Sequence, residues 1–316
     1  MYVLGIDAGG TKTVCLLADE RGTIVAEGHG PGANLHAAGE LEVEKVLHQV
    51  METALEDHDV TPAAICLGMA GVDREEEART VRAIMRRIGR HARVLVVNDA
   101  LVALVAGAQD APGIVIISGT GSIVYGRNAA GEAARAGGWG HMIGDEGSGY
   151  WIGREALAAV MRAADGRGPV TQLTDEILRH FGVADVSLLT RIVYDRDVPR
   201  MSVAAVGPIV EQAVRAGDAV ATRILEHAAE ELVLGAGSVT SKLEMRGDAF
   251  TFFLAGGVFR VVPWLADDLP HRLVEVAPRS QVQLLEVEPA VGAVWLALAE
   301  ARGGAHVPKY RTAATG

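Results

Sequence analysis

Apolar and polar positions along the chain switch between two periods. Tyr2–Asp7 is an apolar run closed by an acid, and 13–19 and 23–28 are further strand-like stretches separated by glycines. Three strands joined by tight turns are predicted there. From 40 to 57 the period becomes helical, with Leu41, Val43, Val46, Leu47, Val50, Met51, Ala54 and Leu55 on one stripe. Ile65–Met69 predicts a buried strand, and 74–89 a charged helix with Val81, Ile84, Met85 and Ile88 inward. Val94–Val97 and Leu101–Ala108 predict one more strand and helix. This alternation is that of an α/β protein.

Past Ala111-Pro112-Gly113 the pattern starts again. Gly9–Gly28 and Ser118–Gly137 align without a gap: Gly10 falls on Gly119, Thr11 on Thr120, Gly22 on Gly131 and Gly28 on Gly137. Each copy follows an apolar run, so each reads as strand, Gly/Thr hairpin, strand, turn and strand. Two related domains are expected, over 1–110 and 111–289, facing each other across a central cleft. The rest of the second copy is mostly helical, over 148–164, 171–182, 186–195, 199–215 and 217–243, with strands at Phe250–Leu254 and Val282–Leu285. Gly237, between Ala236 and Ser238, is read as a point of close helix packing. Ala290–Ala301 forms a final helix, and 303–316 lacks an apolar period and reads as a loose tail.

The chemistry of the paired hairpins points to phosphate. Glycine lets the backbone come close to a ligand. Consecutive N–H groups then make a concave anion site, to which Thr and Ser hydroxyls add donors. Asp7 ends the first strand beside its hairpin, where a carboxylate can hold a Mg²⁺ that bridges phosphates.

Composition narrows the partners. With 316 residues and 49% hydrophobic content, the chain is long enough for two cores. A formal net charge of −11 leaves no basic surplus for nucleic acid or anionic lipid. No apolar run reaches membrane-spanning length, and no basic-then-apolar leader opens the chain. Cys15 and Cys66 sit inside apolar runs and read as buried, reduced thiols of a cytoplasmic protein.

Three further segments carry chemistry. Asn98-Asp99 ends a strand and opens a helix, the position where open α/β sheets gather ligands. Asp99 serves there either as a helix cap or as the acceptor of a proton from an attacking hydroxyl. Gly137–Gly149 is too rich in glycine for a simple turn and brings Trp139, His141, Asp145 and Glu146 into one loop, a set that suits a sugar. Its structural alternative is an Ω-loop around a buried Trp. Ala255-Gly256-Gly257-Val258 follows a strand and gives bare backbone for a base or ribose. The chain has no phosphate loop of the Gly-x-x-x-x-Gly-Lys-Ser/Thr type and no dinucleotide fingerprint.

Taken in order, 7–13, 98–99, 118–122, 137–152 and 255–258 resemble the N-acetylglucosamine kinases of the BadF/BadG/BcrA/BcrD ATPase family. The resemblance spans nearly the whole chain, with 137–152 its most specific part. It implies a ribonuclease H-like, actin-like ATPase fold of two domains, with a duplicated βββαβαβα core and the final helix, 290–302, packed back on the first domain. It implies transfer of the γ-phosphate of ATP to the 6-hydroxyl of an amino sugar, with Asp99 as base. Asn34, Gly71, Asn98, Gly138, Trp139 and Asp145 would contact the sugar. Gly10, Thr11, Lys12, Thr13, Gly119, Thr120 and Gly121 would hold phosphates, Gly256 and Gly257 the adenosine, and Asp7 the Mg²⁺. Gly32–His36 keeps Asn34 but not the Thr-Asn-His of animal members, so glucosamine stands beside N-acetylglucosamine as acceptor. A homodimer is implied as well. The competing expectation is an ATPase switch that drives a partner protein, as the family's activators do.

Overall fold

The computed structural model describes residues 1–89, 92–195 and 200–311. The first half runs β1 (Tyr2–Ala8), β2 (Lys12–Asp19), β3 (Ile24–Pro31), α1 (Leu35–Ala38), α2 (Glu40–Leu55), β4 (Ala64–Met69), α3 (Glu75–Arg87), β5 (Arg93–Asn98) and α4 (Asp99–Ala108). The second half opens with β6 (Gly113–Ser118), β7 (Ser122–Arg127), β8 (Glu132–Gly137) and α5 (Gly149–Ala164). Helical segments follow: α6 (Leu173–Phe181), α7 (Leu189–Tyr194), α8 (Arg200–Ala204), α9 (Gly207–Arg215) and α10 (Ala219–Lys242). The chain then runs through β9 (Thr251–Ala255), α11 (Val258–Val261), α12 (Pro263–Val276), β10 (Gln281–Leu284), α13 (Pro289–Arg302) and β11 (Lys309–Tyr310).

The first sheet has the order β3-β2-β1-β4-β5. Read from its β8 side, the second has β8-β7-β6-β9-β10, the same order, with β11 added beyond β8. The repeat visible in the hairpins is thus a repeat of topology.

Contacts divide the chain into two units. One holds Met1–Val115, Tyr125–Ala134 and the residues from Leu285 onward; the other holds Ile116–Val124 and Arg135–Leu284. The division runs through β6, β7 and β8, so the stretch 111–289 does not form one unit by itself.

In the first unit β1 pairs antiparallel with β2 and parallel with β4, and β4 pairs parallel with β5. Leu4, Ile6, Leu17, Leu47, Met51, Ile65, Leu67, Ile84 and Met85 are fully buried around this sheet. The α2 stripe faces inward as its spacing dictates, except that Leu41, near its exposed first turn, is 68% exposed. The other side of the sheet is covered by α4 and α13. Small residues make that fit possible. A Cβ on Gly5 would lie 2.4 Å from the Val294 nitrogen, and one on Gly292 2.0 Å from the Val102 carbonyl oxygen.

Several predicted elements change. The helix read over 199–215 is two, α8 and α9, because Gly207-Pro208 opens a new helix at a residue without an N–H; its first residue lies outside the described residues. α12 was not expected, since Pro270 lies inside it. The tail is not wholly loose: Lys309 and Tyr310 pair with Glu132 and Ala133, while 312–316 lie outside the described residues. Gly237 is not a close-packing point, for a Cβ there would meet nothing within 4 Å. Gly235 takes that part, with Val124 Cγ2 3.0 Å from its Cβ position. Among the described residues no helix is long and apolar enough to cross a membrane.

Candidate active site

In the first unit the parallel strands β1, β4 and β5 end side by side. Asp7 is in register with Gly68 of β4, and Met69 with Asn98 of β5. Their carboxyl ends therefore bring Asp7, Gly71-Val72-Asp73 and Asn98-Asp99 to one edge, as in other open α/β sheets.

The capping role expected as one alternative for Asp99 is taken by its neighbour. Asn98 is the N-cap of α4: its Oδ1 accepts the Ala100 N–H at 2.8 Å. Its Nδ2 donates to Asp73 Oδ1, also at 2.8 Å. Asp99 is the first residue inside the helix, half-buried, and is not needed as its cap. Burial first, then the charge of Asp73, push its carboxyl up to about 6, against backbone hydrogen bonds at Ala100 and Asp99. Such a group is ionised at neutral pH and basic enough to accept a proton.

Asp7 is displaced further. Burial first, then the charges of Asp99 and Glu288, push it up to about 8, and Lys12 acts in the other direction. The edge has more negative charge than its own cation offsets. Lys12 Nζ donates to both carboxylate oxygens of Glu288 at 2.8 Å, so this lysine is engaged by an acid. Among the described residues no group of three or more His, Cys, Asp and Glu side chains is placed to hold a metal by itself.

The first hairpin is tied to the segment that follows β3. Gly9 N–H donates to the Lys12 carbonyl and Ala33 N–H to the Gly9 carbonyl, both at 3.0 Å. Gly10, Thr11 and Lys12 are exposed, and nothing lies within 4 Å of a Cβ position on Gly10. Thr13 departs from its expected phosphate role. It is fully buried, and its hydroxyl donates to the Pro31 carbonyl at 2.7 Å, which holds β2 to β3. Asn34 caps α1, its Oδ1 accepting the N–H groups of His36 and Ala37. Gly71 at φ +79° lies against it: a Cβ there would be 3.2 Å from Asn34 Oδ1 and 2.9 Å from His36 Cδ2.

In the second unit the second hairpin is laced to the glycine-rich loop. Ser118 Oγ donates to the Gly147 carbonyl and Ser122 Oγ to the Glu146 carbonyl, each at 2.7 Å. Gly149 N–H donates to the Gly119 carbonyl at 2.8 Å. Asp145 has left-handed backbone at φ +60°, accepts the Gly140 N–H at 3.2 Å and is buried. Its Oδ2 lies 2.9 Å from the Cβ position of Gly121, so a side chain there would have to displace this carboxylate. Burial raises the Asp145 carboxyl above the ordinary aspartate range. Gly256, at φ +105°, presses on the same hairpin, its Cβ position 2.2 Å from the Ser118 carbonyl oxygen. Gly257 has open space beside it. Gly119, Thr120, Gly121, Gly137–Gly149 and Gly256-Gly257 therefore form one constellation.

Trp139 is not the buried centre of an Ω-loop. It is 58% exposed, with the Arg135 guanidinium 4.6 Å above its ring. Gly138 backs onto Ile123, whose Cδ1 is 2.9 Å from the Cβ position. Cys15 and Cys66 are both buried, and neither is in a disulfide.

Asp73, Glu77 and Glu288 escaped the sequence reading. Asp73 had a signal, since it follows β4 as Asp99 follows β5. Glu77 accepts the Asp73 and Arg74 N–H groups and fixes that turn. Glu288 stands just ahead of the helix-opening Pro289, and only the return of α13 to the first sheet places it near Lys12.

The profile of the BadF/BadG/BcrA/BcrD ATPase family matches residues 4–297. The chain belongs to that family. Within its scope, the chain is 36% identical over 302 residues to the N-acetylmuramic acid/N-acetylglucosamine kinase of Clostridium acetobutylicum, covering 95% of this chain and 99% of the relative. It is 35% identical over 309 residues to the N-acetyl-D-glucosamine kinase of Dictyostelium discoideum, covering 93% and 97%. A solved structure from Chromobacterium violaceum, of a protein assigned as an N-acetylglucosamine kinase, superposes with a TM-score of 0.78 at 27% identity, covering 94% of this chain and 98% of the other. The two-sheet α/β, actin-like ATPase fold implied by the resemblance is the fold shared with that solved structure.

Proposed function

We propose that the protein transfers the γ-phosphoryl group of ATP to the 6-hydroxyl of an amino sugar, N-acetylglucosamine first and glucosamine as the alternative. The observation that carries this reading is Asp99: a half-buried carboxylate at the end of β5, relieved of capping by Asn98 and held near 6 by burial and Asp73. The kinship with amino-sugar kinases along nearly the full chain supports it.

In this reading Asp99 accepts the proton of the 6-hydroxyl as the oxygen attacks phosphorus. Asn98 and Asp73 hold the turn that aims it. The family resemblance assigns Asn34, Gly71 and Asn98 to the sugar. The family resemblance also assigns Gly138, Trp139 and Asp145 to the sugar, with the exposed Trp139 offering an apolar face to a ring. The open backbones of Gly10 and Gly119, with Thr11, Thr120 and Gly121, suit phosphate oxygens. Gly256 and Gly257 suit the adenosine. Lys12 joins the phosphates only by exchanging Glu288 for them.

Asp7 fits a Mg²⁺ site of the kind completed by water and phosphates. It is one carboxylate in a region with excess negative charge, and such sites need only one or two from the protein. Mg²⁺ there would neutralise charge on the phosphates. A homodimer belongs to the same reading and rests on the family resemblance alone, and a cytoplasmic location rests on Cys15 and Cys66 as reduced thiols.

Asp99→Asn tests the assignment. ATP binding should survive, and sugar phosphorylation should fall by about 10²–10⁴-fold, the usual contribution of a general base. A variant that keeps most of its turnover would remove Asp99 from the role.

A further inference from the structure

Glu288 stands at the N-cap position of α13, yet its side chain caps nothing there. The next residue, Pro289, has no N–H, so one orphan donor of that helix end is already absent. The Glu288 carboxylate turns instead to Lys12, whose Nζ donates to both of its oxygens at 2.8 Å. Both side chains are partly exposed. The pair lies close enough to Asp7 for that carboxylate to feel both charges.

The two partners differ in freedom. α13 is seated on β1 and α4 without slack, with the Val294 nitrogen against Gly5 and Gly292 against the Val102 carbonyl. Glu288 is therefore fixed by the helix it precedes. Lys12 opens β2 next to the exposed Gly10 and Thr11, and its long flexible stem can turn. Two carboxylate oxygens on one ammonium present the same acceptors as two oxygens of a phosphate. A phosphate at the hairpin and Glu288 thus call on the same donors of Lys12, and only Lys12 can move between them.

We infer that Glu288 competes with the phosphates of the nucleotide for Lys12, so that it lowers nucleotide affinity and speeds the release of ADP. This rests on the reading that places Lys12 on the phosphates. Glu288 touches no reacting atom; it is a positioning residue that acts through Lys12. The pairing given up on binding opposes ATP and ADP alike, so it moves Kd and KM together and gives no gain in kcat.

The test is the Kd of Mg-ADP, by titration calorimetry on the full chain, in the parent, Glu288→Gln, Glu288→Asp, Lys12→Met and the double variant Lys12→Met/Glu288→Gln. Glu288→Gln should bind Mg-ADP about three- to fivefold more tightly, the upper end for a partly exposed ion pair. KM for ATP should fall to match, and kcat should not rise. Glu288→Asp, which keeps the charge and shortens the reach, should fall between. In the Lys12→Met background Glu288→Gln should lose most of its effect, the coupling that a double-mutant cycle isolates. Equal tightening in both backgrounds would make Glu288 a distant charge on the phosphates, and weaker binding in Glu288→Gln would make it a brace for Lys12; either overturns the inference. So does a Lys12→Met variant that binds Mg-ADP as the parent does. Nucleotide binding is read without sugar, so a failure to phosphorylate any sugar would remove the amino-sugar reading and leave this one standing.

Discussion

Replacing Asp73 by asparagine should move the acid limb of the pH–rate profile to lower pH. Asp99 sits at about 6, against an ordinary 3.8, and burial is the larger cause, with the Asp73 charge second. Burial outweighs Asp73 and the backbone hydrogen bonds offset part of both, so removing the Asp73 charge should bring Asp99 down from about 6. The asparagine keeps a carbonyl oxygen to accept Asn98 Nδ2, so the cap that holds Asp99 in place is preserved. The quantity to follow is kcat/KM for the sugar from about pH 4.5 to about 8.5, which reports the base of the free enzyme. At about pH 5, a carboxyl at about 6 is roughly one-tenth ionised, and a downward move of about 0.7 unit would make that roughly one-third. Relative to its own plateau, the variant should be about three- to fourfold faster there. A limb that stays in place, or moves to higher pH, would show that the group titrating it does not feel Asp73 and is not Asp99.

Two further outcomes follow from the same geometry. Asp7, at about 8 in the folded chain against an ordinary 3.8, binds its proton more tightly folded than unfolded. Its contribution to stability is full below the ordinary value and is lost as pH rises through about 8. In metal-free buffer the melting temperature of Asp7→Asn minus that of the parent should therefore grow across this window, and a constant difference would contradict the assignment. Gly256→Ala places a Cβ 2.2 Å from the Ser118 oxygen at φ +105°. It should cost about 1–3 kcal/mol in denaturant unfolding and raise KM for ATP about tenfold or more; a normal KM would detach Gly256 from the nucleotide.

What could be read in the sequence follows from the range over which each signal acts. β1 to β3 and their hairpins were legible because the apolar runs and the glycines that end them lie within a few residues of one another. The α2 stripe was legible for the same reason. α12 was hidden by Pro270, which reads as a breaker although its first proline, Pro263, is a good helix opener. β11 is too short to show a period, and only its pairing with β8 makes it a strand.

The site divides in the same way. Asp99 was legible from its place at a strand end, whereas its release from capping depends on a side-chain choice at Asn98 that no spacing reveals. Thr13 belongs to the Gly/Thr motif in sequence, but strand alternation turns it inward to Pro31. Glu288 is brought to Lys12 from the far end of the chain by α13, a pairing that leaves no local trace.

The most direct test of the account is ADP release with Mg-ATP across N-acetylglucosamine, glucosamine, N-acetylmannosamine, N-acetylmuramic acid, glucose and no sugar. The account predicts a high rate with an N-acetylated amino sugar over a low blank. A rate equal in every well, the blank included, would contradict it and point to an ATPase that serves a protein partner.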